Sequence, residues 1–278
     1  MAKLNKHVII GDNNMIKKIE GKVLLSRNNK PSSWFGCKYL FNIYRGCEHK
    51  CIYCDSRSLC YQIENFDDIH VKINADKLLE KELKSRRKKG TIGTGAMSDP
   101  YTFSEKKYNL TRRCLEVISK YNYPIHLTTK SNLVLRDVDI LQEINKIYAS
   151  VAMTITSADD NISKKVEPFA PSSSERFKSL GILSTLGITT SITLMPVLPF
   201  IEDNEKNILE LVNKAHYYGV KHIVPCLGMS LRDRQRDYYY KKLDENFPGL
   251  KDKYIKKYGD RYKCYDPNLK KTCGNSAK

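Results

Sequence analysis

Three cysteines crowd the short stretch 43-IYRGCEHKCIYCDSR-57, at Cys47, Cys51 and Cys54. A packed core has no use for three thiols on one turn, whereas a metal centre does. A structural zinc ion takes four Cys or His ligands, usually as two separated pairs. Cys51 and Cys54 make one such pair and no second C-x2-C or H-x3-H follows, although Cys47 and His49 could complete a local cage. The other solution is an iron–sulfur cluster, whose irons are held by thiolates. With a cubane of the [4Fe–4S] type, three local ligands leave one iron open to a non-protein ligand. The C-x3-C-x2-C spacing lets one short loop wrap three corners of that cube.

The elements around the loop must hold it open at one face. Strand-like runs rich in Val, Ile, Thr and Tyr occur at 39–44, 91–97, 125–130, 149–156, 188–197 and 221–227. Several are continuously apolar, as strands buried on both faces are. Amphipathic helical stretches lie between them, near 74–89, 105–121, 136–147, 172–186 and 203–218. Ser104 and Ser172 can cap helix amides, the latter with Glu175 three residues on, and Gly187 and Gly219 can stop helices. Repeated βα units of this kind predict an α/β fold, a partial parallel (β/α)6-type TIM-like barrel. The cysteine loop then follows the first strand, at the C-terminal mouth where barrel active sites lie. Residues 1–35 read as an N-terminal extension and 36–227 as the barrel. Residues 228–278, basic and aromatic, read as a C-terminal helical extension of the same compact unit.

The 278 residues, 41% hydrophobic and 28% charged, suit a soluble enzyme. No apolar run approaches the ~18–20 residues that would span a bilayer. The N-terminal MAKLNKHVIIGDNN lacks the apolar core and cleavage site of a secretory signal. The expected location is the cytoplasm, where closely spaced cysteines bind metal more often than they form disulfides. The other six cysteines (Cys37, Cys60, Cys114, Cys226, Cys264, Cys273) show no repeated spacing and read as small buried or surface residues. The net charge of +17 fits nucleic acid, an acidic protein partner, or a Lys-rich composition without a partner.

The C-x3-C-x2-C loop, with Tyr53 just before its last cysteine, resembles that of the radical S-adenosylmethionine (SAM) enzymes. The resemblance implies that Cys47, Cys51 and Cys54 bind a [4Fe–4S] cluster whose unique iron chelates the amino and carboxylate groups of SAM. Reduction then cleaves the sulfonium and yields a 5′-deoxyadenosyl radical for hydrogen abstraction. It places Tyr53 near the adenine. The runs 98-SDPYTFSEKKYNLTRRCLEVI-118, 128-TTKSNLVLRD-137, 154-TITS-157 and 167-EPFAP-171 resemble the branch that includes spore photoproduct lyase. By that resemblance, Ser98, Lys130 and Thr156 (or Ser157) hold the methionyl carboxylate and amine. Lys130 also makes independent sense as the charge partner of a carboxylate at a strand end. Asp99 either shapes the loop after the second strand or binds the cofactor's polar groups. The segment 196-PVLPFIED-203 either meets the adenine or stiffens the barrel rim.

The branch also implies a nucleic-acid or nucleotide substrate, the alternatives being a protein, a peptide or a small molecule. An acidic electron donor such as flavodoxin or ferredoxin would suit the positive charge. A non-catalytic zinc or nucleic-acid-binding module is the third class. One departure stands out: spore photoproduct lyase uses a cysteine hydrogen donor close before its Ser-Asp, and here 93-GTGAMSDP-100 has Ala96 and Met97. No residue is assigned as catalytic. Residues expected to line a substrate pocket are Arg45, His49, Arg57, Tyr101, Glu105, Arg232 and Arg234. The run 232-RDRQRDYYYKK-242 either packs its tyrosines on the barrel or stacks on bases.

Overall fold

Short β-branched runs alternating with amphipathic helices can bury both faces of a sheet only by winding parallel. The computed structural model shows this winding. It describes residues 9–11, 14–29, 35–94 and 97–265. Six parallel strands follow one another in chain order: β1 (Tyr39–Phe41), β2 (Ile92–Gly93), β3 (Ile125–Thr129), β4 (Ala149–Thr154), β5 (Thr189–Val197) and β6 (His222–Leu227). The longest helix in each connection is α1 (Ala75–Ser85), α2 (Leu110–Lys120), α3 (Val138–Asn145), α4 (Ser173–Thr185) or α5 (Glu205–Tyr217), with shorter helices at Glu105–Tyr108 and Asp160–Val166. All six residues of β4 are buried, as its central place requires. Leu25–Arg27 adds an antiparallel edge beside β1. Among the described residues the hydrogen bonding runs from that edge to β6 without joining the two ends, so the α/β sheet is mostly parallel and open.

Three local departures have identifiable causes. The first strand stops at Phe41 because Tyr44–Arg45 turns away to pair antiparallel with Ile69–Lys72, which itself pairs parallel with Asn14–Ile19. This second sheet draws on residues before 35 and is built on pairings too distant for periodicity to reveal. The expected helix 105–121 is broken at Asn109, whose φ is +51°. Ser104 makes no capping bond there. Instead the buried Glu105 carboxylate accepts from the amides of Leu110 (3.0 Å) and Thr111 (2.9 Å) and so caps α2. Ser172 behaves as its spacing predicts, closing a capping box with Glu175.

Two cores result. The larger joins the sheet to α1–α5, with Leu127, Val151, Met153, Phe177 and Leu180 at its centre. The smaller lies beneath the cysteine loop: Cys51, Ile52 and Tyr53 pack with Leu198, Tyr239, Leu243, Tyr254 and Tyr258. Those tyrosines come from α6 (Asp233–Asn246) and α7 (Leu250–Tyr258), the C-terminal extension. No helix among the described residues is long and apolar enough to cross a membrane.

Candidate functional site

A cavity of about 870 Å³ opens at the C-terminal ends of the parallel strands. Cys47, Cys51 and Cys54 line it with Tyr53 and His49, and Ser98, Asp99 and Lys130 line it from the segments that follow β2 and β3. The cysteine loop has little regular structure, so its backbone groups need partners from elsewhere. It finds them on two sides. The Ile52 amide donates to the Val166 carbonyl at 2.9 Å and the Phe169 amide to the His49 carbonyl at 3.4 Å. On the other side, Glu48 accepts from the Ser104 amide at 2.6 Å and the Thr102 hydroxyl at 2.9 Å. Gly46, just before the first thiol, has φ +79°, and an added Cβ would stand 2.6 Å from the Asp68 carbonyl oxygen. Only glycine fits there.

Burial pushes the Cys47 thiol up to about 12, and its neighbours Asp99 and Cys54 add to the effect. Burial raises Cys51 and Cys54 in the same way, with Lys130 pulling each of them down. Such thiols ionise when a cation compensates them, so ligation here is coupled to proton release. Among the described residues no three His, Cys, Asp or Glu side chains are gathered closely enough to hold a single metal ion. A polynuclear cluster takes its thiolates at separate corners, and three thiols lining one cavity fit that donor set.

Asp99 knits the floor together. It accepts from the Thr129 hydroxyl (2.6 Å), the Lys130 amide (2.7 Å) and the Tyr101 amide (2.8 Å), and His49 Nε2 lies 3.3 Å away. Its burial opposes ionisation, but His49 and these donors hold its carboxyl at about 2. With both oxygens engaged, Asp99 shapes the loop. Ser98 donates to the Tyr44 carbonyl at 2.7 Å, which leaves its lone pairs free to accept.

Lys130 projects into the cavity with Nζ 5.7 Å from the Tyr53 ring centre and 3.9 Å from Glu167. Burial disfavours its charge, yet Cys51, Glu167 and Asp99 hold it above the ordinary lysine value. Glu167 is buried, and accepts from the Tyr53 hydroxyl and from Arg176.

Thr156 is placed differently. It does not line the cavity; its hydroxyl donates to Glu202 at 2.7 Å, one layer deeper, and Ser157 is likewise turned to the Asp159 carbonyl.

Of the residues expected around a substrate, His49 lines the cavity and the others have structural partners. Tyr101 donates to Asp137, Glu105 caps α2, Arg57 pairs with Asp67, and Arg45 donates to the Tyr61 carbonyl. Arg232 pairs with Asp55, and Arg234 is spent on backbone carbonyls. Sequence reasoning missed part of the cavity lining, to which Met195, Cys226, Met229, Tyr262, Lys263 and Tyr265 contribute. Met195 and Cys226 sit in β5 and β6, where a strand end was a legible signal. The antiparallel pairing of Met229–Ser230 with Lys263–Cys264 was not. Met97, close before Ser98, lines the cavity too; Ala96 and Cys273 lie outside the described residues.

The model of the Radical SAM superfamily matches residues 41–212. An uncharacterized protein of Methanocaldococcus jannaschii is 33% identical over 200 residues, 71% of this chain and 74% of that relative. An uncharacterized protein of Mycobacterium tuberculosis is 26% identical over 229 residues, 80% of this chain and 67% of the relative. Among solved structures, spore photoproduct lyase complexed with dinucleoside spore photoproduct superposes with a TM-score of 0.69 at 15% identity, covering 94% of this chain and 77% of that one. Streptococcus suis SuiB bound to precursor peptide SuiA gives 0.52 at 15%, covering 74% and 46%. At such identities the two structures speak for the fold alone. The family match spans the cysteine loop and β2–β5, and with a relative one-third identical over most of its length it shows that the chain belongs to the radical SAM superfamily.

Proposed function

We propose that this radical SAM enzyme carries a [4Fe–4S] cluster on Cys47, Cys51 and Cys54 and abstracts hydrogen from a nucleic-acid or nucleotide substrate. Membership of the superfamily implies an iron–sulfur cluster and SAM. When bound and reduced by an external donor, the cluster would supply one electron to the sulfonium of SAM, giving methionine and a 5′-deoxyadenosyl radical for hydrogen abstraction. The observation that carries the reading is the convergence of three thiols and the Lys130 ammonium on one cavity at the strand ends.

The chain's own residues have clear tasks in this reading. Lys130 is the charge partner for the methionyl carboxylate, held in place by Glu167 below it. Ser98, its proton already donated to Tyr44, offers lone pairs to the methionyl amine. Tyr53 lies beside Lys130 as a flat wall for the cofactor, and Thr156 supports the floor through Glu202. Met97, Met195 and Met229 add apolar surface to the cavity lining, which disfavours water beside a radical. Residues 36–227 form the catalytic unit, and the described part of the 228–278 extension, up to residue 265, packs against it as one compact unit.

For the substrate, spore photoproduct lyase offers a neighbour complexed with a dinucleoside lesion. Tyr61, Tyr262 and Tyr265 with Lys263 line the cavity here, rings that can stack on bases beside a cation for phosphate. The net charge of +17 serves the same polyanion, and equally an acidic electron donor such as flavodoxin or ferredoxin. The test is turnover under reducing, oxygen-free conditions with deuterated oligodeoxynucleotides or, in parallel, deuterated peptides. Deuterium in 5′-deoxyadenosine from the oligonucleotides supports the reading; label arriving from the peptides alone overturns it.

A further inference from the structure

The segment from Tyr53 to Glu64, which contains the last cysteine, has no strand partner. It consists of two single 3-10 turns, Asp55–Arg57 and Leu59–Tyr61, whose remaining backbone groups must be satisfied from outside. The start of α6 supplies those partners. Gln235, fully buried, donates from Nε2 to the Tyr53 carbonyl at 3.1 Å while its Oε1 accepts from the Arg232 amide at 2.9 Å. Arg234 spreads its guanidinium over three carbonyls, those of Arg57 (2.5 Å), Glu64 (2.7 Å) and Ile63. Asp233 accepts from the Ser58 hydroxyl (2.8 Å) and the Leu59 amide (3.1 Å). Ser230 donates to Asp55 at 2.9 Å, and Tyr238 stacks 3.7 Å from the Arg57 guanidinium.

We propose that Arg234 and Gln235 are positioning residues for the cluster: the beginning of α6 fixes the main chain around Cys54 and so sets the geometry and retention of the metal centre. Their partners in that segment lie 170 to 182 positions away in sequence. They act through the loop and touch no reacting atom. A planar five-donor fork satisfies three divergent carbonyls where a lysine would satisfy fewer. Contacts that orient metal ligands are worth about 10–100-fold in metal affinity. The inference rests on the assignment of Cys47, Cys51 and Cys54 as ligands.

Arg236 provides an internal control. It sits on the same helix and likewise bonds carbonyls, those of Leu231, Gly259, Asp260 and Arg261, yet none in the 53–64 segment. Arg234→Lys, Arg234→Ala, Gln235→Met and Arg236→Ala would be reconstituted anaerobically beside the wild type. Iron and sulfide content, the EPR spectrum of the reduced protein and the rate of bleaching by a chelator well below Tm would be measured. Substitution at 234 or 235 is expected to speed bleaching on the order of tenfold and to shift the EPR signal. Arg236→Ala should lower Tm while leaving both unchanged. Should Arg234→Ala fail to fold, Arg234→Lys and Gln235→Met carry the comparison. Equal bleaching rates and spectra in the 234, 235 and 236 variants overturn the inference. A wild type that takes up no iron overturns the ligand assignment beneath it.

Discussion

The ammonium of Lys130 stands 3.9 Å from Glu167, whose carboxylate also meets fully buried Arg176 at 2.5 Å. One buried acid thereby links the end of β3, the cluster loop through Tyr53, and α4. In Lys130→Met the cavity keeps its shape and loses its charge partner. A charge-assisted bond is worth roughly 1.5–3 kcal/mol, so SAM should bind about tenfold more weakly or worse. Equilibrium dialysis of SAM against the reconstituted variant measures this, and an unchanged Kd contradicts the role given to Lys130.

Glu167→Gln tests the other side of the pair. It leaves the Arg176 guanidinium without its carboxylate in a dry interior, and breaking a buried pair in this way costs about 3–5 kcal/mol. The urea midpoint should fall sharply. A change within the error of the midpoint would mean that Arg176 is satisfied by the Thr154 and Pro171 carbonyls and the Ser163 hydroxyl without the carboxylate.

Glu202 gives a pH signature. It is fully buried, and burial raises its carboxyl to about 8. The folded protein therefore keeps this group neutral between about 4.5 and 8 while the unfolded chain ionises it. Stability falls as pH rises through that window, by roughly 4–5 kcal/mol at ~1.36 kcal/mol per unit. In Glu202→Gln the amide oxygen accepts from the Leu198 amide, and the Thr156 hydroxyl can turn to accept from the new NH2. The variant should lose the slope and exceed the wild type in denaturant resistance at pH 8. Parallel stability–pH curves for the two proteins would falsify the assignment.

Gly46→Ala places a methyl group 2.6 Å from one carbonyl oxygen and 2.7 Å from another, at a φ that L-residues avoid. The cost should exceed about 1 kcal/mol. Because Cys47 is the next residue, iron retention should drop along with Tm. A variant with wild-type iron content would show that the loop tolerates the shift.

The legible parts of the molecule were those with local period. Six strands and five helices were readable from β-branched runs, amphipathic spacing and the Ser172–Glu175 box, and the thiols from their spacing alone. What escaped was pairing over long separations. Arg232 and Arg234 look like substrate ligands in a sequence, since nothing local says that carbonyls of residues 57, 63 and 64 will meet Arg234. Thr156 sits two residues past the end of β4, a strand buried throughout, and its hydroxyl bonds Glu202. Ser104 is displaced as a cap by Glu105, a residue whose burial follows from Tyr44 and Arg136 arriving from other elements. The antiparallel pairing of Met229–Ser230 with Lys263–Cys264 joins distant segments too short to carry a strand signal.

The central claim is a metal centre with three protein thiolates and one vacant coordination corner. Protein purified and reconstituted without oxygen should be brown, hold about four irons and as many sulfides per chain, and release 5′-deoxyadenosine from SAM on reduction, with Cys51→Ala inactive. Colourless protein carrying stoichiometric zinc, or a Cys51→Ala variant that still cleaves SAM, would contradict the account.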